Sequence, residues 1–335
     1  MTHKKNIRLA IILTCVILIV VGILMSLSTG YSNVKIQDVL RILGGGGTAK
    51  ENLVLYQFRM PRNVMSLLVG GGLAASGCLM QSLSRNDLAD PGILGINVGA
   101  GMVVVLLYSY LPSISVKYPF ALPIAAFLGA FAVAILICWL AFDKYRGFSP
   151  MRMILMGIAV SAAGNAFILV TSLKLDRATY VSFNTWNLGN LNGATWSQVQ
   201  VLLPWIVLLI PLVILKSREL NALSLGKDSA TSLGVHVLKE QLITLAIAVA
   251  LAAASVSVAG AIGFVGLIAP HIARRLVGAS HQFLIITSVL VGAFLVMISD
   301  TIARVAFAPS EIPVGIVITV VGAPYFLYLL SKANK

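Results

Sequence analysis

Long apolar runs broken by short polar clusters recur along this chain, and nearly every run is long enough to cross a bilayer. They lie at 9–27, 64–83, 93–111, 121–142, 153–173, 199–215, 242–258, 283–302 and 312–330. A helix needs about 20 apolar residues to cross a hydrocarbon core, so each predicts a membrane span. A tenth run, 260–273, is short for an independent span and needs burial among the others. Ten spans are therefore expected. Small residues recur at helical spacing within them, as in Gly72 and Ser76, Gly95 and Gly99, Gly129 and Val133, Gly157 and Ser161, and Gly260, Gly263 and Gly266. Such faces let helices approach closely where lipid supplies no hydrophobic drive between them, which predicts a tight bundle without specifying its function.

The polar punctuation is most informative at residues 59–95, RMPRNVMSLLVGGGLAASGCLMQSLSRNDLADPGILG. Arg59 and Arg62 bracket a proline at one end of a glycine-rich span, and Asp90 directly precedes Pro91-Gly92 at the other. A lipid anchor needs neither device. The polar stretch 219–235, ELNALSLGKDSATSLGV, predicts two short helices, with Leu220, Leu223 and Leu225 forming an apolar side. Gly226 serves as a left-handed stop and Gly234 ends the second helix. A surface turn resting on headgroups is the alternative reading of this stretch. Gly226-Lys227-Asp228 is not a phosphate loop, because Asp228 stands where a Mg²⁺-binding hydroxyl is required and residue 221 is Asn rather than Gly.

Composition sets the class. Of 335 residues, 59% are hydrophobic and 10% charged, with mean hydropathy +0.96. A soluble domain of this length cannot hide so much apolar side chain. An all-α integral membrane protein forming a single domain, 1–335, is expected, since no linker is polar enough to divide it. The formal charge of +13 suggests a nucleic-acid partner only until the cations are placed. With the N-terminus in the cytoplasm and ten alternating spans, 15 of the 24 Lys and Arg fall inside, as the positive-inside rule asks. The first run follows Lys4, Lys5 and Arg8 like a signal peptide, but it is longer than the usual signal core and more spans follow.

Several residues invite chemistry. Arg59, Arg62 and Arg304 map to the outer face against the charge trend, where they either snorkel to lipid phosphate or pair with carboxylates of a docking partner; Arg304 pairing with Glu311 is a further option. Asp300, near a span end, is the only acid inside one. Ion-coupled carriers keep ionisable groups deep in the membrane, so their scarcity points to an energy source on another polypeptide. His271 lacks a second ligand for a metal site and predicts packing or hydrogen bonding. Cys15, Cys78 and Cys138 lie inside spans as small hydrophobes. In the exported loops, 28–62 carries a flexible Gly44–Gly47 turn, and Trp186 and Trp196 of 174–197 are expected at the lipid interface.

RMPR (59–62), RNDLADPGILG (85–95), LSLGKDSATSLGV (223–235), GAIGFVGLIAPHIARRLVG (260–278), SDTIAR (299–304) and EIPVGIVITVVGAPYFLYLL (311–330) occur here in order. Through these blocks the chain resembles the FecCD-type permeases, membrane subunits of ATP-binding-cassette importers for ferric siderophores, haem and cobalamin, from about residue 56 to 330. The resemblance implies a ten-span, cobalamin-importer-like permease in the bacterial cytoplasmic membrane, with both termini cytoplasmic. It implies a second permease subunit, identical or paralogous, two ATPase subunits and an extracytoplasmic substrate-binding protein. Residues 219–235 would be the coupling helices, with Leu220, Leu223, Leu225, Gly226 and Gly234 contacting the ATPase. Arg59, Arg62 and Arg304 would receive the binding protein, and Leu88, Asp90, Pro91, Ser149 and Met151 would form the inner gate and turn. The chain would bind no cofactor or metal and catalyse nothing, ATP and Mg²⁺ being held by the partner. One departure is Asp87, where this type of permease usually has proline.

The expected function is import of an iron chelate, a ferric siderophore before haem or cobalamin. An ion-gradient-driven carrier would require buried acids that the spans lack. A non-transporting scaffold would leave the coupling block and the outer arginines without purpose.

Overall fold

The computed structural model describes residues 2–29, 36–111, 118–143, 147–148, 150–306, 308 and 310–333. Among the described residues, eight helices are long and apolar enough to cross a membrane. In chain order the helices are α1 (Thr2–Ser28), α2 (Ile36–Leu43), α3 (Ala49–Asn52), α4 (Met60–Ser84), α5 (Ile96–Tyr110), α6 (Ala121–Ala141), α7 (Pro150–Ser172), α8 (Arg177–Asn187), α9 (Trp196–Leu215), α10 (Ser217–Ser224), α11 (Lys227–Ser232), α12 (Val237–Ala259), α13 (Val265–Val277), α14 (His281–Val305) and α15 (Val314–Ala333). The eight candidates are α1, α4, α6, α7, α9, α12, α14 and α15; α5 and α13 are shorter and complete the ten runs read from the sequence. A π-helical turn, Leu53–Arg59, leads into α4. The only strand pairing among the described residues is the two-residue ladder of β1 (Phe142–Asp143) and β2 (Gly147–Phe148).

Helices α4 and α12 form the centre, each with most of its length buried, whereas α1 and α7 are largely uncovered. Their sequences explain the difference. α4 carries Gly70, Gly71, Gly72 and Gly77, and α12 carries five alanines between Ala248 and Ala254, so neighbouring backbones can come close. A Cβ on Gly70 would stand 2.3 Å from the Gly292 carbonyl oxygen of α14, and one on Gly77 would stand 1.9 Å from that of Gly266 on α13. Gly99 and Gly129 meet reciprocally between α5 and α6: a Cβ on either would stand 2.5 Å from the other's carbonyl oxygen. These contacts realise the close packing expected of small residues, with partners that spacing along the chain does not encode.

The break between α12 and α13 is fixed by Gly260, at φ +73°, where a Cβ would lie 1.9 Å from the Trp186 carbonyl oxygen. The short α13 is thereby held among longer helices, as its length demands. The two loops expected to be exported hold more structure than the sequence suggested. α2 and α3 lie on either side of the four glycines, with Val39 and Ile42 buried against Leu27 and Leu55. α8, capped by Asp176, occupies the second loop. Trp186 packs against the core rather than at a lipid interface, and Trp196 donates through Nε1 to the Tyr56 carbonyl at 2.8 Å.

Candidate functional sites at the two ends of the bundle

At one end, the C-terminus of α1, the start of α4 and the C-terminal turns of α14 converge on a buried charge cluster. Arg62 is 7% exposed and grips Asp300 (2% exposed) with its Nε 3.0 Å from both carboxylate oxygens and Nη2 2.9 Å from Oδ1. Its Nη1 donates to Glu311 Oε2 at 2.7 Å. Arg304, 8% exposed, donates to the Ser26 hydroxyl and carbonyl and lies 3.5 Å from Asp300 Oδ2, an ion pair without hydrogen-bond alignment. Arg59, 6% exposed, donates to the Leu27 carbonyl. The three arginines singled out in the sequence are thus together and almost covered, and Glu311 pairs with Arg62 rather than with Arg304.

At the other end, α4 stops at Arg85, whose left-handed backbone (φ 50°) turns the chain into residues 86–95. Asp90 caps the 3₁₀ turn Pro91–Leu94, accepting from the Gly92 N–H at 2.7 Å, and burial pushes its carboxyl above the ordinary range. Pro91 packs against Gly266, and Leu88 joins the cluster of Leu267, Ile268 and Leu329. Asp87 lies 3.4 Å from Arg274 on α13, so the residue that departs from the family pattern gains an ionic partner there. Met151 is exposed at the start of α7, and Ser149 lies outside the described residues.

Beside this turn lies the two-helix segment α10–α11. Leu220 and Leu223 are buried, at 1% and 4% exposure, but Leu225 follows the end of α10 and is 67% exposed. The expected three-leucine side therefore holds only for the first two, because Leu225 stands two positions after Leu223 and so faces nearly the opposite way at 3.6 residues per turn. Gly226 adopts φ 121°, ψ 159°, an extended positive-φ geometry that is essentially restricted to glycine, rather than the left-handed stop expected. Gly234, at φ +81°, does end α11 as expected. Arg85 Nη2 donates to the Leu223 carbonyl at 3.2 Å, and Lys216 pairs with Glu240 of α12. A cavity of about 180 Å³ opens here, lined by Met80, Arg85, Leu94, Met153, Lys227 and Gln241 among others.

A family model of the FecCD transport family matches residues 17–332. The chain belongs to that family. Among curated relatives it is 47% identical to the iron(3+)-hydroxamate import system permease protein FhuG of Bacillus subtilis (strain 168), over the full length of both chains. It is 37% identical to the Fe(3+)-citrate import system permease protein YfmE of the same organism, covering 99% of this chain and 98% of the relative. It is 38% identical to the hemin transport system permease protein HmuU of Yersinia pestis, covering 83% of each. A solved structure described as a metal-chelate type ABC transporter in an inward-facing conformation superposes with TM-score 0.83 at 28% identity, covering 96% of this chain and 99% of that one.

Within this FecCD-family chain, one residue at the α10–α11 end had no sequence signal. His281 begins α14 and touches both α10 and α4. Neither of its partners lies near it in sequence, so no spacing marks it. His271, by contrast, packs edge-on against Tyr325 with ring centroids 5.9 Å apart, and the packing half of its expected role is what the structure contains.

Proposed function

We propose that this chain is a permease subunit of an ATP-driven importer for an iron chelate of the ferric hydroxamate class. The single observation carrying the substrate class is full-length similarity to a hydroxamate-system permease; haem and citrate systems are represented among less similar relatives. On this reading the chain is a single permease domain in the bacterial cytoplasmic membrane, with both termini and α10–α11 cytoplasmic. It pairs with a second permease subunit, a copy or a paralogue.

Two ATPase subunits bind the nucleotide and Mg²⁺, and this chain catalyses nothing itself. Leu225 and Leu233, 67% and 64% exposed on either side of α11, offer the ATPase an apolar grip, with Gly226 and Gly234 setting the turns. Leu220 and Leu223 root the segment in the bundle. The turn containing Leu88, Asp90 and Pro91, together with Ser149 and Met151, forms the inner gate.

The arginine end receives a substrate-loaded binding protein. Three guanidinium groups there face two carboxylates, leaving a positive excess that suits acidic lobes of a partner. Glu311, with 31% of its side chain exposed, is the acid a docking carboxylate would meet first. Reversing Arg62 or Arg304 to Glu would place two acids together, so it tests folding as much as docking. Glu311→Gln keeps all three cations and is expected to hold or tighten capture of the binding protein at low salt. Lost capture in a folded Glu311→Gln protein contradicts docking through excess positive charge.

The experiment that tests the substrate reading is uptake of radioactive iron supplied as a panel of ferric hydroxamates, ferric catecholates, ferric citrate and haem, in cells with and without the chain. Loss confined to one or more hydroxamates is expected. Loss confined to haem or citrate would move the chain to that substrate.

A further inference from the structure

At the end of the bundle where α10 leaves it, one side chain joins three helices. His281 is 2% exposed, and its backbone N–H donates to the Asn221 Oδ1 of α10 at 3.0 Å. Its ring Nδ1 lies 2.8 Å from that same oxygen, and Nε2 lies 2.7 Å from the hydroxyl of Ser82 on α4. An amide oxygen only accepts, so the ring proton sits on Nδ1 and a neutral ring accepts at Nε2 from Ser82. The Ser82 hydroxyl is also 2.7 Å from the Cys78 carbonyl, a second acceptor on its own helix. The hydroxyl carries one proton, for which Nε2 and that carbonyl compete, so the Ser82–His281 bond forms at the expense of a bond inside α4.

The two bundle helices that it reaches are pinned together along their length. α4 and α14 each run 25 residues, about 37 Å at the helical rise of 1.5 Å per residue. His281–Ser82 joins them at one end, the Gly70–Gly292 backbone contact closes the middle, and Arg62–Asp300 locks the other end. Such a pair, tied by hydrogen bonds and close packing at three levels, moves as one body. α11, by contrast, is rooted mainly through Ala230 and carries exposed leucines on either side.

We propose that His281 is a positioning residue that fastens the α10–α11 segment to a rigid α4–α14 shaft, so that displacement of the segment reaches the arginine end as movement of one body. The shaft makes the docking end and the ATPase-facing end two ends of the same lever. This inference rests on the importer reading of α10–α11.

The test uses the complete importer, with its ATPase, partner permease and binding protein, in proteoliposomes where iron uptake and ATP hydrolysis are read in the same vesicles. His281→Ala is expected to lower uptake per ATP hydrolysed by about tenfold, within the range of measured coupling energies, while hydrolysis continues. His281→Asn places an amide nitrogen near the Nδ1 position and should restore part of that ratio. Ser82→Ala, which removes one hydroxyl, provides a second variant if His281→Ala fails to assemble, and should lower the ratio in the same direction. An unchanged ratio in the assembled variants, or uptake and hydrolysis falling in proportion, overturns the proposal. A wild-type complex without ATP-dependent uptake would instead overturn the importer reading, before any variant is compared.

Discussion

Asp300 lies in a nearly water-free position between two guanidinium groups, and its charge is tolerable only because both are there. Removing one member of a buried pair leaves the other uncompensated, at a cost of about 3–5 kcal/mol, whereas replacing both with apolar groups is often nearly neutral. Arg62→Met is therefore expected to lower the thermal unfolding temperature in detergent sharply, and adding Asp300→Leu to recover part of the loss. A double variant less stable than Arg62→Met alone would contradict this account. Asp90 poses the opposite problem, since burial raises its carboxyl above the ordinary value of 3.8. A raised acid contributes stability below its unfolded value that is lost as pH rises through the folded one. Asp90→Asn keeps the cap and does not titrate, so its advantage over wild type should grow as pH rises from about 4 toward neutrality. Asp90→Ala, lacking the cap, should lose about 1 kcal/mol. Unfolding measured across that pH range checks both, and a wild-type advantage that grows with pH would refute the sign. The arginines and the Asp90-Pro91-Gly92 turn were legible in the sequence because odd residues stood out against apolar surroundings. The pairing of Arg62 with Glu311 was not, because 249 positions separate them.

Among the elements, glycine placement decides which helices touch. Gly77 of α4 leaves no room for a methyl group against the Gly266 carbonyl oxygen, whereas a Cβ on Gly263 would meet nothing within 4 Å. Gly77→Ala is expected to abolish or severely reduce folded protein, and Gly263→Ala to leave it unchanged, as gauged by size-exclusion recovery and unfolding temperature. Equal behaviour of the two would contradict the packing account. Run lengths revealed the ten helices, since apolar length is a one-dimensional property. α2 escaped notice because its eight amphipathic residues are far too few for a membrane span, and span length was the signal that organised the sequence. Leu225 was misread for a different reason: two positions after Leu223 it faces nearly the opposite way on a helix, so the three leucines never share one side.

Across the whole molecule, helices α4 and α14 connect the buried charge cluster at one end to the α10–α11 segment at the other, while α1 and α7 present largely uncovered apolar faces. Among the described residues the spans hold few ionisable groups, and Arg62, Asp300 and Arg304 at one end are paired with one another. On the proposed function, the chain moves an iron chelate with energy supplied by a separate ATPase. The most direct measurement is ferric hydroxamate uptake into proteoliposomes holding the reconstituted importer, with ATP supplied or withheld and ion gradients either imposed or collapsed by ionophores. Uptake that requires ATP and persists without any gradient is the predicted result. Uptake by this chain alone that follows an ion gradient and ignores ATP would contradict it.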